Sequence, residues 1–96
     1  MKPSIAFNQH REAIRHIVER HHAVNARVFG SVLRGEDTAE SDLDLLVDPT
    51  EDTTLFDIGE IQAEVSELLG IDVDVLTPGA LPDKWKHDVL NQARAV

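Results

Sequence analysis

Apolar and polar positions along this chain switch between a helical and a strand period, and the switches mark its elements. From about residue 8 to 23, Ala13, Ile14, Ile17 and Val18 recur at helical spacing. Glu12, Arg15, His16 and Glu19 fill the polar side, and Asn8 is placed to cap the start. Asn25 to Phe29 is short, contains β-formers and stops at Gly30, which predicts a strand. Ser31 to Leu33 predicts a brief helical turn and Gly35 to Ser41 a polar loop. Asp42 to Asp48 alternates and then runs continuously apolar before Pro49, a second strand. From 55 to 69 the residues Leu55, Ile58, Ile61, Val65, Leu68 and Leu69 form one helical stripe, with Gly70 as its stop. Asp72 to Leu76 predicts a third strand, closed by Thr77-Pro78-Gly79. A last helix is expected over 82–93, with Pro82 near its first turn and Trp85, Val89 and Ala93 as its core-packing stripe.

This order predicts an α+β, two-layer fold. It would be a small mixed sheet of about three strands with helices packed mainly on one face. No repeat, linker or low-complexity tract interrupts the 96 residues, so a single domain over residues 1–96 is expected. In both acidic strands the aspartates alternate with Leu or Val, so one face takes the helices and the other is left to water or metal.

Composition narrows the options. Eighteen acidic against nine basic residues give a formal charge of −9. That field opposes nonspecific nucleic-acid binding, which rests on neutralising phosphates with Lys and Arg. It suits a basic protein partner or metal ions better. There is no cysteine, which removes disulfides and thiolate metal sites and fits a reducing interior. No secretory signal and no apolar run of membrane-spanning length is visible, so a soluble cytoplasmic protein is expected.

The candidate chemistry lies in the second strand and the turn before it. Asp42 and Asp44, two residues apart on one strand, project the same way about 7 Å apart. Like charges so placed raise each other's pKa unless a cation lies between them. Magnesium fits, because it takes oxygen ligands and is held by one or two carboxylates plus substrate phosphates. The third strand offers Asp74, with Asp72 as an alternative, for a second metal or to take a proton from an attacking hydroxyl. Gly30-Ser31 ends a strand and opens a turn. There a glycine admits a phosphate close to the backbone, and the N–H groups of the following turn and the Ser31 hydroxyl can hold its oxygens. Arg34, one turn on, can reach the same anion with a forked donor.

Gly30-Ser31, ten residues, Asp42, one residue, Asp44 resembles the signature of the DNA polymerase β-like nucleotidyltransferase superfamily. The stretches Gly30-Ser31-Val32-Leu33-Arg34-Gly35, Ser41 to Val47 and Val73 to Thr77 resemble its minimal nucleotidyltransferase branch over nearly the whole chain. The resemblance implies that Gly30 and Ser31 hold a nucleoside triphosphate and that Asp42 and Asp44 bind two Mg2+ ions. Asp74 matches the third carboxylate, and Arg34 matches a position often basic in that branch. Members of the branch are commonly antitoxins of a HEPN-domain ribonuclease toxin, and some transfer AMP from ATP to a toxin tyrosine. The implied function is that of an ATP-dependent antitoxin enzyme. A rival is a non-catalytic antitoxin that neutralises the toxin by direct binding.

Three other features carry weaker expectations. His21 and His22 are adjacent, and neighbours on a helix diverge by about 100°, so they should not share an ion. Their place near a helix C-terminus is explained by the dipole. Trp85 could face a partner instead of the core. Glu36, Asp37 and Glu40 read as a solvated loop bordering the site.

Overall fold

The computed structural model describes residues 2–96. Among them the chain forms α1 (Pro3–Gln9), α2 (Arg11–Arg20), β1 (Ala23–Phe29), α3 (Ser31–Arg34), β2 (Leu43–Pro49), α4 (Leu55–Leu69), β3 (Val73–Leu76), a 3-10 turn (Pro78–Ala80), α5 (Asp83–Gln92) and β4 (Arg94–Ala95). The sheet order is β3-β2-β1-β4. β2 and β3 run parallel, and β1 is antiparallel to both β2 and β4. The expected mixed sheet and two-layer plan are present, with a fourth strand added. β4 pairs Ala95 with Arg27 and Arg94 with Val28, and the Val96 N–H donates to the Ala26 carbonyl at 2.9 Å. A two-residue strand after a helix is too short to show alternation, which is why the pattern did not reveal it.

The register assigns side chains to faces, because directly opposed residues share a face. Val28, Leu45 and Val75 form one cross-strand row, and Leu43 with Val73 forms the next on the same face. These residues are buried in one cluster with Ile14, Ile17 and Val18 of α2 and Ile61, Val65 and Leu69 of α4. Phe29, Asp44 and Asp74 form a row on the opposite face, followed by Arg27, Leu46 and Leu76. One face therefore holds the core and the other holds the acids.

Two crossovers join parallel strands of this sheet. β2–α4–β3 steps one way along the sheet, and β3–α5–β4 steps back the other way. α4 contributes to the core, whereas α5 has no buried residue. This corrects the expected core stripe: Trp85 is 56% exposed, and Leu90 is exposed as well. The second face is not wholly open, since Leu46 is fully buried outside the main core and the Pro78–Ala80 turn packs against β2.

Two helix boundaries also differ. The helix expected over 8–23 is two, broken at His10, so Asn8 sits in the last turn of α1, where its Oδ1 accepts from Arg11 Nε at 3.0 Å. Pro3 starts α1 early, at the position where its missing N–H costs nothing, and Ala6 and Phe7 join the core. In α4, Thr54 and Asp57 form a reciprocal capping box and Gly70 closes the helix in the left-handed conformation. At about 100° per residue, Leu55 falls at the margin of the buried stripe, and it is 89% exposed beside Phe56 at 84%.

Candidate active site

The turn after β1 and the start of β2 meet because their strands are paired. Phe29, the last residue of β1, lies opposite Asp44, and Gly30 follows at φ 80°, a backbone conformation open to glycine. A Cβ built on Gly30 would lie 2.4 Å from Asp44 Oδ2. Any side chain there would collide with the carboxylate. Gly30 and Asp44, fourteen residues apart, are thus packed against each other. Ser31 then opens α3, a single turn whose Leu33 and Arg34 N–H groups are taken by the Gly30 carbonyl at 3.1 and 3.2 Å. The N–H groups at the start of such a turn lack intrahelical partners.

Asp44 is half-buried and sits in register with Asp74 on the parallel neighbour β3. Burial chiefly, then the charges of Asp74 and Asp42, pushes the Asp44 carboxyl above its usual range, with Arg34 opposing. Asp42 is exposed and lies one residue before β2, at the strand's entrance. Asp72 also lies outside its strand. Its carbonyl accepts the Leu43 N–H at 3.0 Å, so it anchors the entrance through its backbone. Arg34 is exposed, and its Nε donates to Glu36 at 3.1 Å. The fold thus brings Gly30, Ser31, Asp44 and Asp74 to one corner of the sheet, with Asp42 at its margin and Arg34 close enough to act on Asp44.

A cavity of about 530 Å3 lies beside this corner, walled by Ser41, Asp42, Asp72, Ser66, Glu67 and Ile71 among others. Gly30, Ser31, Asp44 and Asp74 are not among its walls. The motif corner is therefore an open surface bordered by a larger hollow that shares Asp42 with it.

One functional candidate was misread from the sequence. Asp37 is not a solvated loop residue: it is 6% exposed, the one buried charged side chain among the described residues. Its Oδ2 accepts the Ser4 backbone N–H at 2.9 Å, and that bond is the main cause holding its carboxyl below the usual range. This ties the loop between the phosphate-type turn and the aspartates to the first turn of α1. Thirty-three residues separate the partners, so no local pattern signals it.

The donor set fits divalent cations. Three carboxylates come together from one strand, its entrance and its parallel neighbour, one of them already resisting ionisation, and a cation would relieve that repulsion. A mixed sheet with a glycine–serine turn facing an acidic strand is the architecture of the nucleotidyltransferase fold. Residues 8–96 match the nucleotidyltransferase domain model, and the chain belongs to that family of enzymes. It is 36% identical over 91% of its length to a candidate protein adenylyltransferase of Methanocaldococcus jannaschii, of which it covers 94%. The solved structure of a candidate minimal nucleotidyltransferase superposes with a TM-score of 0.87 at 39% identity, covering 97% of this chain and 95% of that one. A toxin–antitoxin structure solved with AMP-PNP shares the fold at a TM-score of 0.70 and 16% identity, covering 97% of this chain and 71% of the other. No helix among the described residues is long and apolar enough to cross a membrane.

Proposed function

We propose that this chain is a protein adenylyltransferase that acts as an antitoxin. It would transfer AMP from ATP to a hydroxyl, a tyrosine's, on a cognate HEPN-domain ribonuclease toxin in the cytoplasm. The observation that carries the reading is the fit of Gly30 against Asp44, with Asp44 in register beside Asp74. It joins a turn suited to phosphate and a carboxylate that resists ionisation at one corner. The adenylyltransferase relative and the fold shared with a toxin–antitoxin structure solved with AMP-PNP support it.

In this reading Gly30 and Ser31 receive the triphosphate, and Arg34 releases Glu36 to reach the same anion. Asp42 and Asp44 would hold two Mg2+ ions, with Asp74 completing the ligand set. Bound there, the ions would supply charge neutralisation at the phosphates. The acceptor oxygen attacks the α-phosphorus while the bond to the β-phosphate oxygen breaks and pyrophosphate leaves. Asp74 takes the acceptor proton. Catalysis is then mainly positioning and electrostatic stabilisation.

The test is incubation with α-labelled ATP, Mg2+ and the toxin. Label on the toxin that is lost with Asp42→Asn and Asp44→Asn is expected. A toxin that stays unlabelled with every nucleoside triphosphate and metal tried would overturn the reading.

A second reading is favoured by the exposed apolar side chains Leu55, Phe56 and Trp85. Exposed aromatic anchors suit a partner interface, so the chain would neutralise the toxin by contact alone. An Asp42→Asn/Asp44→Asn double variant that still rescues toxin-expressing cells would favour this rival.

A further inference from the structure

The far end of the sheet carries a second cluster that the proposed reaction does not use. α2 stops at Arg20, and His21 caps it just before β1 begins opposite Pro49, the last residue of β2. This is the end of the sheet away from Asp42 and Asp44. His21 and His22 were expected to diverge as helix neighbours do. Instead both approach Asp57, because the helix has ended and His22 turns to φ 67°. His21 Nδ1 lies 3.8 Å from Asp57 Oδ1, and His22 Nδ1 lies 3.4 Å from Asp57 Oδ2. Asp57 and Glu60 are three apart on α4, so their side chains meet on one face. Glu60 Oε2 lies 3.1 Å from the same His21 Nδ1.

We propose that His21, Asp57 and Glu60 form a site for a divalent transition-metal ion, with zinc as its natural chemistry. One ligand atom from each lies within 4.8 Å of the others. Ligands at zinc distances of about 2.1 Å stand about 3.4 Å apart at tetrahedral corners, and the 3.1 and 3.8 Å separations from Nδ1 straddle that value. A further contact concerns the other ring nitrogen. His21 Nε2 is bonded to Glu64, one helical turn beyond Glu60, and Arg20 also pairs with Glu64. With the N–H on the distal nitrogen, facing the Glu64 carboxylate, the Nδ1 lone pair would face Asp57 and Glu60. That is the support a metal-bound histidine ordinarily has. Asp57 Oδ2 is already occupied by the Thr54 backbone N–H at 2.8 Å, which leaves Oδ1 for the ion and fixes the carboxylate's orientation.

The His21 side chain is only 14% exposed, whereas Glu60 is 62% exposed, so the ion would enter from the Glu60 side and keep water there. An imidazole nitrogen among oxygens selects zinc or its neighbours over Mg2+. The ion would staple the end of α2 to α4, two of the helices that contribute to the core, and would leave the nucleotide corner alone.

Cobalt(II) and zinc titrations of the full chain test this. The Asp42→Asn/Asp44→Asn variant is used, so that the carboxylates at the other end do not compete. One Co2+ per chain with visible d–d absorption, displaced by Zn2+, is expected, together with a rise in melting temperature. Glu60→Gln, an exposed and structurally mild change, and His21→Ala should each remove the absorption. Glu64→Gln should weaken binding by about tenfold or more through loss of the histidine's support. Absence of stoichiometric binding would overturn the site, as would binding that Glu60→Gln and His21→Ala leave unchanged.

Discussion

The two faces of the sheet use the same strands for opposite ends. On one, Leu43, Leu45, Val47, Val73 and Val75 are buried under α2 and α4. On the other, one residue along each strand, stand Asp44 and Asp74 at one end and Arg27 paired with Asp48 at the other, with the buried Leu46 between. The last helix, α5, buries nothing of its own. The difference teaches where each property resides. Apolar burial is concentrated on the face that excludes water, and the motif carboxylates stand on the other, where Asp44 is held half-buried among like charges.

That division can be broken by experiment. The largest effect is expected on activity. Asp44→Asn should cut AMP transfer by about 10^3-fold, the scale of losing one charge-stabilising group, while raising the melting temperature of the metal-free protein. Gly30→Ala should lose activity too, but with a lower melting temperature, because its Cβ meets Asp44. Labelled-ATP assays and thermal melts read both. A metal-free Asp44→Asn protein less stable than the parent would contradict the account of that carboxylate.

Next comes the core face. Leu45→Ala should cost about 2–5 kcal/mol by urea unfolding, a large share of the roughly 5–15 kcal/mol such a domain has. Asp74→Ala, on the neighbouring strand but the opposite face, should change stability far less while impairing transfer. Equal losses from the two would erase the distinction between the faces.

The pH dependence sharpens it further. Asp37 is depressed by the Ser4 N–H, so its contribution is complete above the ordinary carboxylate value of 3.8 and is lost as pH falls through its lower folded value. Asp44 has the reverse sign. Its carboxyl is raised, so stability is present below 3.8 and is lost as pH rises through the folded value. Denaturant titrations across pH 2–7 should therefore show Asp37→Asn flattening the acid limb, with a loss of about 1.5–3 kcal/mol near neutrality for the charged hydrogen bond. Asp44→Asn should flatten the opposing decline. The smallest effect is expected at Trp85: Trp85→Ala should shift stability by less than about 0.5 kcal/mol, as an exposed side chain does. A larger drop would mean that α5 packs more tightly than its exposure indicates.

Much of this was legible in the chain. The alternation in Leu43–Val47 and Val73–Val75 set the two faces, because side-chain period is a property of the strand itself. The same holds for α4, where Gly70 marks the end and Ile61, Val65 and Leu69 the buried part of the stripe, while Leu55 and Leu68 of that stripe are exposed. The spacing of Gly30, Ser31, Asp42 and Asp44 named the family before any fold was in view, and membership in the nucleotidyltransferase family bore it out.

Other features required the chain to close on itself. Nothing near Asp37 in sequence announces Ser4. The convergence of His21 and His22 on Asp57 depends on a helix stopping one residue earlier and on α4 lying beside it. β4 is visible only as a partner of β1, and Trp85 reads as core until the packed chain leaves α5 without a buried residue. Local periodicity records which face of an element is apolar. Which elements face each other, and so which carboxylates meet which donors, is decided by contacts between residues far apart along the chain.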